Sequence, residues 1–449
     1  MIRSIIRFSA TNRLLVLLTV AVAVAYGVYA LRHIPVDAIP DLSDTQVIVY
    51  SRWDRSPDIM EDQVTYPVVS ALLGAPGVKT IRGFSDFGFS YVYVVFKEGT
   101  DIYWARSRVL EYLSKIQNVL PAGVKTELGP DATGVGWVYQ YALVDESGGH
   151  SPTDLRTFQD WSLRYRLQSV PGVAEVASVG GFVQQYQVTV DPNRLRAYDL
   201  AIMDVADAVR SSNNEVGGRL LEFSGREYMV RGRGYVKSTA DLEQVVLKTD
   251  ERGTPVLLRD VGHVSLGPEI RRGVTDLDGR GDVVGGIVVM RHGENARAVI
   301  DRVKERLKEI EPSLPAGVRI VTTYDRSELI QRSIDNLEHD LLLEILIVSL
   351  VIVVFLWHVP SALVAIVTIP VAVLLAFIPM SLMGLSSNIM SLAGIAISIG
   401  VLVDGAIVEV ENTYKKLERW VHEAARATCR PRAWRPCSRW ALRSSSRCS

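Results

Sequence analysis

The chain has 449 residues, enough for two or three domains. Lys+Arg 49 against Asp+Glu 50 leaves a formal charge of −1, which excludes the basic footprint of a nucleic-acid binder. Mean hydropathy is +0.16 although 22% of residues are charged, a mixture that points to a polar domain joined to membrane segments. Cys429, Cys437 and Cys448 all lie in the last 21 residues, so the main body has neither a disulfide nor a thiolate metal site.

The first element is "LLVLLTVAVAVAYGVYAL" (14–31), 18 uncharged residues between Arg13 and Arg32. That length spans a bilayer, and the following "RHIPVDAIP" offers no small-x-small cleavage site, so an uncleaved span is expected. From 32 to 335 strand-like and helix-like patterns alternate. "TQVIVYS" reads as a strand, 57–74 as an amphipathic helix, and "KTIRGFS" and "FSYVYVVF" as strands. A helix over 101–120 ends before Pro121, and the rhythm then repeats. "VGWVYQYALV" reads as a strand, 151–170 as a helix, and "VAEVASVG" and "QQYQVTVD" as strands. "GDVVGGIVVMR", "NARAVIDRVKERLKEI" and "VRIVTTYD" close it as strand, helix, strand. The pattern predicts split βαβ units of ferredoxin-like type. Residues 182–272, glycine-rich with short strands such as "EYMVRGRGY" and "QVVLKT", read as an insertion in the second unit.

Three more spans are predicted at 341–357, at 361–385 with Pro370 and Pro379, and from about Asn388 to about Val410. Arg3, Arg7 and Arg13 precede the first span, and Lys415, Lys416 and Arg419 follow the fourth. Both ends therefore read as cytoplasmic and the large loop as extracytoplasmic.

No enzyme chemistry emerges. The seven histidines show no metal-ligand spacing, "DFG" (86–88) lacks the other kinase motifs, and no full dinucleotide fingerprint occurs. The informative residues are the carboxylates in "GVLVDGAIVEVEN" (400–412). A charge at bilayer depth costs at least about 2.5–3.5 kcal/mol, so it is normally functional. Asp404 lies about sixteen residues into its span and reads as a proton-relay or ion-path group, against a buried structural ion pair. Glu411, two helical turns on, shares its face and reads as structural or as cytoplasmic access. Glu409 is offset and reads as solvated, and Glu344 as a residue that snorkels to the surface.

The motif Gly400-x3-Asp404-x6-Glu411 resembles the fourth-helix motif of resistance-nodulation-division (RND) transporters. "PVDAIPDLSDTQVIVYS", "EDQVTYPVVSALLGAPGVKTIRGFSDFGFSYVYVVFKEGTDIYWARSRVLEYL", "LPAGVKTELGPDATGVGWVYQYALVD", "EVASVGGFVQQYQV" and "LLRDVGHVSLGPEIRRG" resemble the heavy-metal-efflux branch, in its copper/silver type, from residue 1 to about 420. The resemblance implies an α+β membrane protein: transmembrane helices plus a periplasmic porter domain of ferredoxin-like βαβ sandwiches with an inserted docking subdomain. It implies an inner-membrane, proton-driven homotrimer that exports metal ions through a periplasmic adaptor and an outer-membrane channel. It needs no cofactor, the metal being cargo. The implied segments are 1–32 (first transmembrane helix), 33–132 and 133–335 (porter subdomains, docking insertion about 182–272), 336–414 (transmembrane helices two to four) and 415–449 (cytoplasmic tail). Asp404 matches the proton-relay aspartate, Glu411 the second motif carboxylate, and Arg82 a basic residue on the periplasmic path.

Two departures accompany the resemblance. Copper-type members line their route with methionines, soft ligands for Cu(I); this chain has Ile270, Leu402 and Glu409 at three such positions and keeps Met390. The zinc/cobalt/cadmium type has a further aspartate where this chain has Ser398. The cargo is thus open between Cu(I)/Ag(I) and a divalent ion, with a lean to the latter. Second, family members are about twice as long. "CSRWALRSSSRC" (437–448) can be back-translated so that another frame reads LEVGPALFFSL, which resembles what members carry after this helix. A frameshift is therefore expected, with the tail out of frame from about 425. The competing readings are an inactive fragment and a receptor with a periplasmic sensing domain; the short Arg/Ser-rich tail, without periodicity, argues against the receptor. The frameshift expects the downstream DNA to encode the remainder in another frame; a reading of that DNA without such a remainder rules it out.

Overall fold

A computed structural model describes residues 8–9, 11–249, 253–271, 273–356 and 359–428. The chain divides into two compact units: 1–42 with 295–297 and 326–449, and 43–294 with 298–325. The first unit begins with helix α1, Arg13–His33.

The second unit opens with β1 (Gln46–Arg52), α2 (57–72), β2 (Val78–Asp86), β3 (Phe89–Phe96), α3 (Ile102–Ile116) and β4 (Lys125–Leu128). The antiparallel sheet has the order β2-β3-β1-β4, the ferredoxin-like βαββαβ arrangement. β1 alternates half-buried and buried residues, so Val47 and Val49 face the helices. They pack with Val92, Val94, Phe96, Val68, Leu72, Ala105 and Val109. Asp101 caps α3 by accepting from the Trp104 N–H at 2.7 Å.

The arrangement is repeated by β5 (Trp137–Asp145), α4 (152–168), β6 (Val173–Gly180), β13 (Val284–Met290), α5 (Ala296–Ile310) and β14 (Val318–Asp325), in the order β14-β5-β13-β6. Between β6 and β13 the chain builds a separate layer. β7 (Gln184–Val190) pairs with β12 (Gly262–Pro268), β8 (Val216–Phe223) with β9 (Arg226–Gly232), and β10 (Val246–Thr249) with β11 (Pro255–Leu257); a core of Leu195, Val205, Leu242, Leu258 and Val261 forms among them. The sequence suggests short strands here, yet helices Pro192–Ala197, Ile202–Ser212, Thr239–Glu243 and Leu258–Val261 also form. Their signals are local caps: Asp191 before Pro192, and Ser238 with Asp241 as a capping box.

The helices read over 57–74 and 151–170 are interrupted in the same way. Each contains one π turn, Glu61–Thr65 and Gln159–Leu163. In the first, Tyr66 N–H reaches Glu61 O; Pro67 follows, and its ring and missing N–H disfavour a regular α turn. Each π turn drives a buried polar side chain onto the sheet. Thr65 donates to Ser90 Oγ at 2.7 Å and lies 2.8 Å from Ser85 Oγ. Ser85, Ser90, Ser51 and Thr126 are direct cross-strand neighbours, so a row of hydroxyls crosses all four strands. In the second sheet Tyr141 donates to Gln159 Oε1 at 2.9 Å, and Gln159 is fully buried. Gly286 makes room: a Cβ there would lie 2.3 Å from the Tyr141 hydroxyl.

After β14 the first unit resumes as α6 (Arg326–Leu356), α7 (Val359–Leu382) and α8 (Ile389–Thr428). With α1 they enclose Ala30, Ile34, Ile369, Phe377, Leu392, Ile395 and Ile399. Gly27 lets α1 approach α7, since a Cβ there would lie 2.8 Å from Leu374 O. Among the described residues, α1 is long and apolar enough to cross a bilayer, and Val367–Leu382 and Ile389–Val401 are shorter apolar helices. Residue 357, at the end of the span read at 341–357, lies outside the described residues, as do some side chains of all three spans and the tail beyond 428 that is read as out of frame.

Replacing Gln159 by Leu strands the Tyr141 hydroxyl in the core, and an unsatisfied buried group costs about 1–3 kcal/mol. Gln159→Leu is expected to lower the thermal midpoint of the purified chain, whereas the exposed Gln117→Leu leaves it nearly unchanged.

Candidate functional site

The site is built on α8. Its start is fixed by a reciprocal cap: Asn388 Oδ1 accepts from the Met390 and Ser391 N–H groups, both at 3.0 Å, and Ser391 Oγ accepts from Asn388 N–H at 2.8 Å. The loop before it is tied to the exit of α1. Ser387 N–H donates to Pro35 O, Asp37 N–H to Ser387 O, and Ile389 N–H to Ala38 O. The helix then runs for 40 residues, about 60 Å at 1.5 Å per residue. It extends well past the expected end near Val410, because helix-forming Lys, Glu and Arg residues follow without Gly or Pro.

Asp404 and Glu411 lie on α8 two turns apart, and Met390 occupies its first turn. The side chains of Asp404, Glu409 and Leu402 lie outside the described residues. Met390 is 64% exposed. Glu411 pairs with Lys415 at 2.5 Å, both about half exposed, a geometry worth only about 0.3–0.5 kcal/mol. Arg82 belongs to the other unit, exposed on β2 opposite Tyr93. Among the described residues no cluster of His, Cys, Asp or Glu could hold a metal ion.

Two features of the bundle were not legible beforehand. Glu344, half-buried on α6, approaches α8: its Oε1 lies 3.9 Å from where a Cβ of Gly400 would stand. Asp37, just past α1, meets Arg326, the first residue of α6, at 3.4 Å, with side chains 14% and 5% exposed. Burial pushes the Asp37 carboxyl above the usual carboxylate range. The Arg326 charge and the Ala38 and Ile39 N–H groups pull it back only in part. Desolvation thus outweighs pairing, so the pair holds geometry more than it adds stability.

A family model described as the AcrB/AcrD/AcrF family matches residues 5–433. The chain belongs to that family. Within it, the chain is 55% identical over 429 residues to "Cation efflux system protein CusA" of Escherichia coli strain K12, covering 95% of this chain and 41% of that protein. It is 54% identical over 423 residues to "Putative cation efflux system protein SilA" of Salmonella typhimurium, covering 94% and 40%. To "Cobalt-zinc-cadmium resistance protein CzcA" of Cupriavidus metallidurans it is 38% identical over 425 residues, covering 93% and 40%. A crystal structure of a heavy metal efflux pump superposes with a TM-score of 0.81 at 32% identity, over 95% of this chain and 43% of that one. The chain therefore spans about two fifths of the length of these AcrB/AcrD/AcrF-family relatives, in their N-terminal part.

Removing one partner of a buried pair leaves the other charge uncompensated, at about 3–5 kcal/mol, whereas an apolar pair of similar volume is often neutral. Asp37→Ala and Arg326→Ala are each expected to lower the thermal midpoint sharply, and Asp37→Leu with Arg326→Met together to restore most of it. Glu411→Gln is expected to leave it nearly unchanged.

Proposed function

We propose that this chain supplies the N-terminal part of a proton-driven pump that exports heavy-metal cations across the inner membrane. The observation that carries the reading is the 55% identity, over 95% of the chain, to a protein named for cation efflux. In this reading α1, α6, α7 and α8 cross the membrane with both ends cytoplasmic, and the two-sheet unit is the periplasmic porter domain. A homotrimer passes the metal to a periplasmic adaptor and an outer-membrane channel.

Asp404 is the proton carrier. Its support is chemical: Asp404 is the one charged residue between Ile389 and Val408, and a charge kept at bilayer depth is normally functional. Transport then couples loading of that carboxyl from the periplasm to metal release, and its discharge to the cytoplasm to resetting. Glu411, exposed and paired with Lys415, stands at the cytoplasmic end of the same face and receives the released proton. Arg82 and Met390 line the cargo route at its two levels. The cargo is a metal cation, divalent or Cu(I)/Ag(I), and no resident cofactor takes part.

The test is metal tolerance and metal-driven proton flux in a pump-deficient bacterium. The chain is supplied with the C-terminal length its relatives carry. Tolerance and flux are expected with Asp404 intact, and Asp404→Asn is expected to abolish both while protein level and trimer formation persist. Undiminished flux in Asp404→Asn removes the relay role.

A further inference from the structure

Glu344 has no place in the reading above, and its surroundings call for one. It sits on α6, half-buried, with its carboxylate directed at α8 beside Gly400. Gly400 and Asp404 are four residues apart on α8, so they stack on one face, one turn from each other. The carboxylate of Glu344 thus comes to α8 on Asp404's face, one turn closer to the start of that helix. The absent side chain at Gly400 leaves that face clear.

The groups around it are apolar. Ile345 and Val348, next to Glu344 on α6, pack with Ile395 and Ile399 of α8. Helix α7 contributes no charged residue between Val359 and Leu382, and α1 has none between Arg13 and Arg32. The titratable groups nearest to it along these two helices are Glu338, His339 and Asp340, one to two turns back on α6, and Asp404, Glu409 and Glu411 on α8. Among the described residues Glu344 makes no ion pair and no hydrogen bond. Carboxyl groups in apolar surroundings without a cation are favoured as the neutral acid, the form that can hand on a proton. Two carboxyls in close reach titrate as a pair and share a proton between them.

We propose that Glu344 is a second proton-carrying carboxyl, which receives protons at the extracytoplasmic side of Asp404 and exchanges them with it. The proposal rests on the proton-driven reading, but its test does not need transport. Dicyclohexylcarbodiimide modifies protonated carboxyls in apolar settings. The full chain in lipid vesicles is treated with it between pH 5 and 9, and the modified peptides are read by mass spectrometry. Glu344 is expected to be modified, and Glu344→Gln removes the adduct.

Asp404→Asn removes the exchange partner, and the yield of the Glu344 adduct is expected to fall several-fold. Gly400→Val, which puts a side chain on that face of α8 beside the Glu344 carboxylate, is expected to uncouple Glu344 from Asp404. Absence of the Glu344 adduct while Asp404 is modified overturns the proposal and leaves the pump reading standing. A Glu344 adduct yield that ignores Asp404→Asn also overturns it. Modification of neither carboxyl overturns both readings.

Discussion

An uncompensated charge in apolar surroundings must find a partner, take up a proton, or reach water, and the helical unit is organised by that constraint. Each acid near its apolar segments meets it differently. Asp37 takes a guanidinium, Arg326, at the junction where α1 ends and α6 begins. Glu411 reaches the outside and pairs with Lys415 on its own helix. Glu344 shows neither among the described residues, and lies beside Gly400 of the facing helix, which has no side chain.

The same accounting governs the two-sheet unit in neutral form. Two ferredoxin-like repeats each carry a π turn in their first helix, and each turn pushes one polar side chain into the core. Both groups are satisfied there, Thr65 by a row of hydroxyls and Gln159 by Tyr141 and Ser178. A π turn also widens the helix at the point where it crosses the sheet. The repetition at equivalent places implies one geometric requirement met with different residues. In the first repeat Pro67 enforces the turn; in the second nothing in the local sequence does.

Legibility divided along the range of the forces. Strands β1, β3, β5, β6 and β13 were readable because each buries a dense β-branched face, and α3 and α5 because apolar residues recur at helical spacing. The short helices of the insertion escaped because their apolar content is too low for periodicity to register, although Asp191-Pro192 and the Ser238 box announced them. Strand β4 escaped because Lys125–Leu128 is a four-residue edge. Among the site residues, Asp404 stood out as an acid in an apolar run. The neighbour of Glu344 was not legible, because distance from the helix start says nothing about which helix a side chain faces.

The apolar segments, the paired βαββαβ rhythm and the carboxylate at residue 404 are legible along the chain, since they depend on periodicity and composition within a few turns. Folding alone brings Arg326 to Asp37 across 289 residues, clears a path for Tyr141 at Gly286, and sets Gly400 before Glu344. Those are contacts between elements remote in the chain. Their energies come from burial and close approach, and neither has a signature in local pattern.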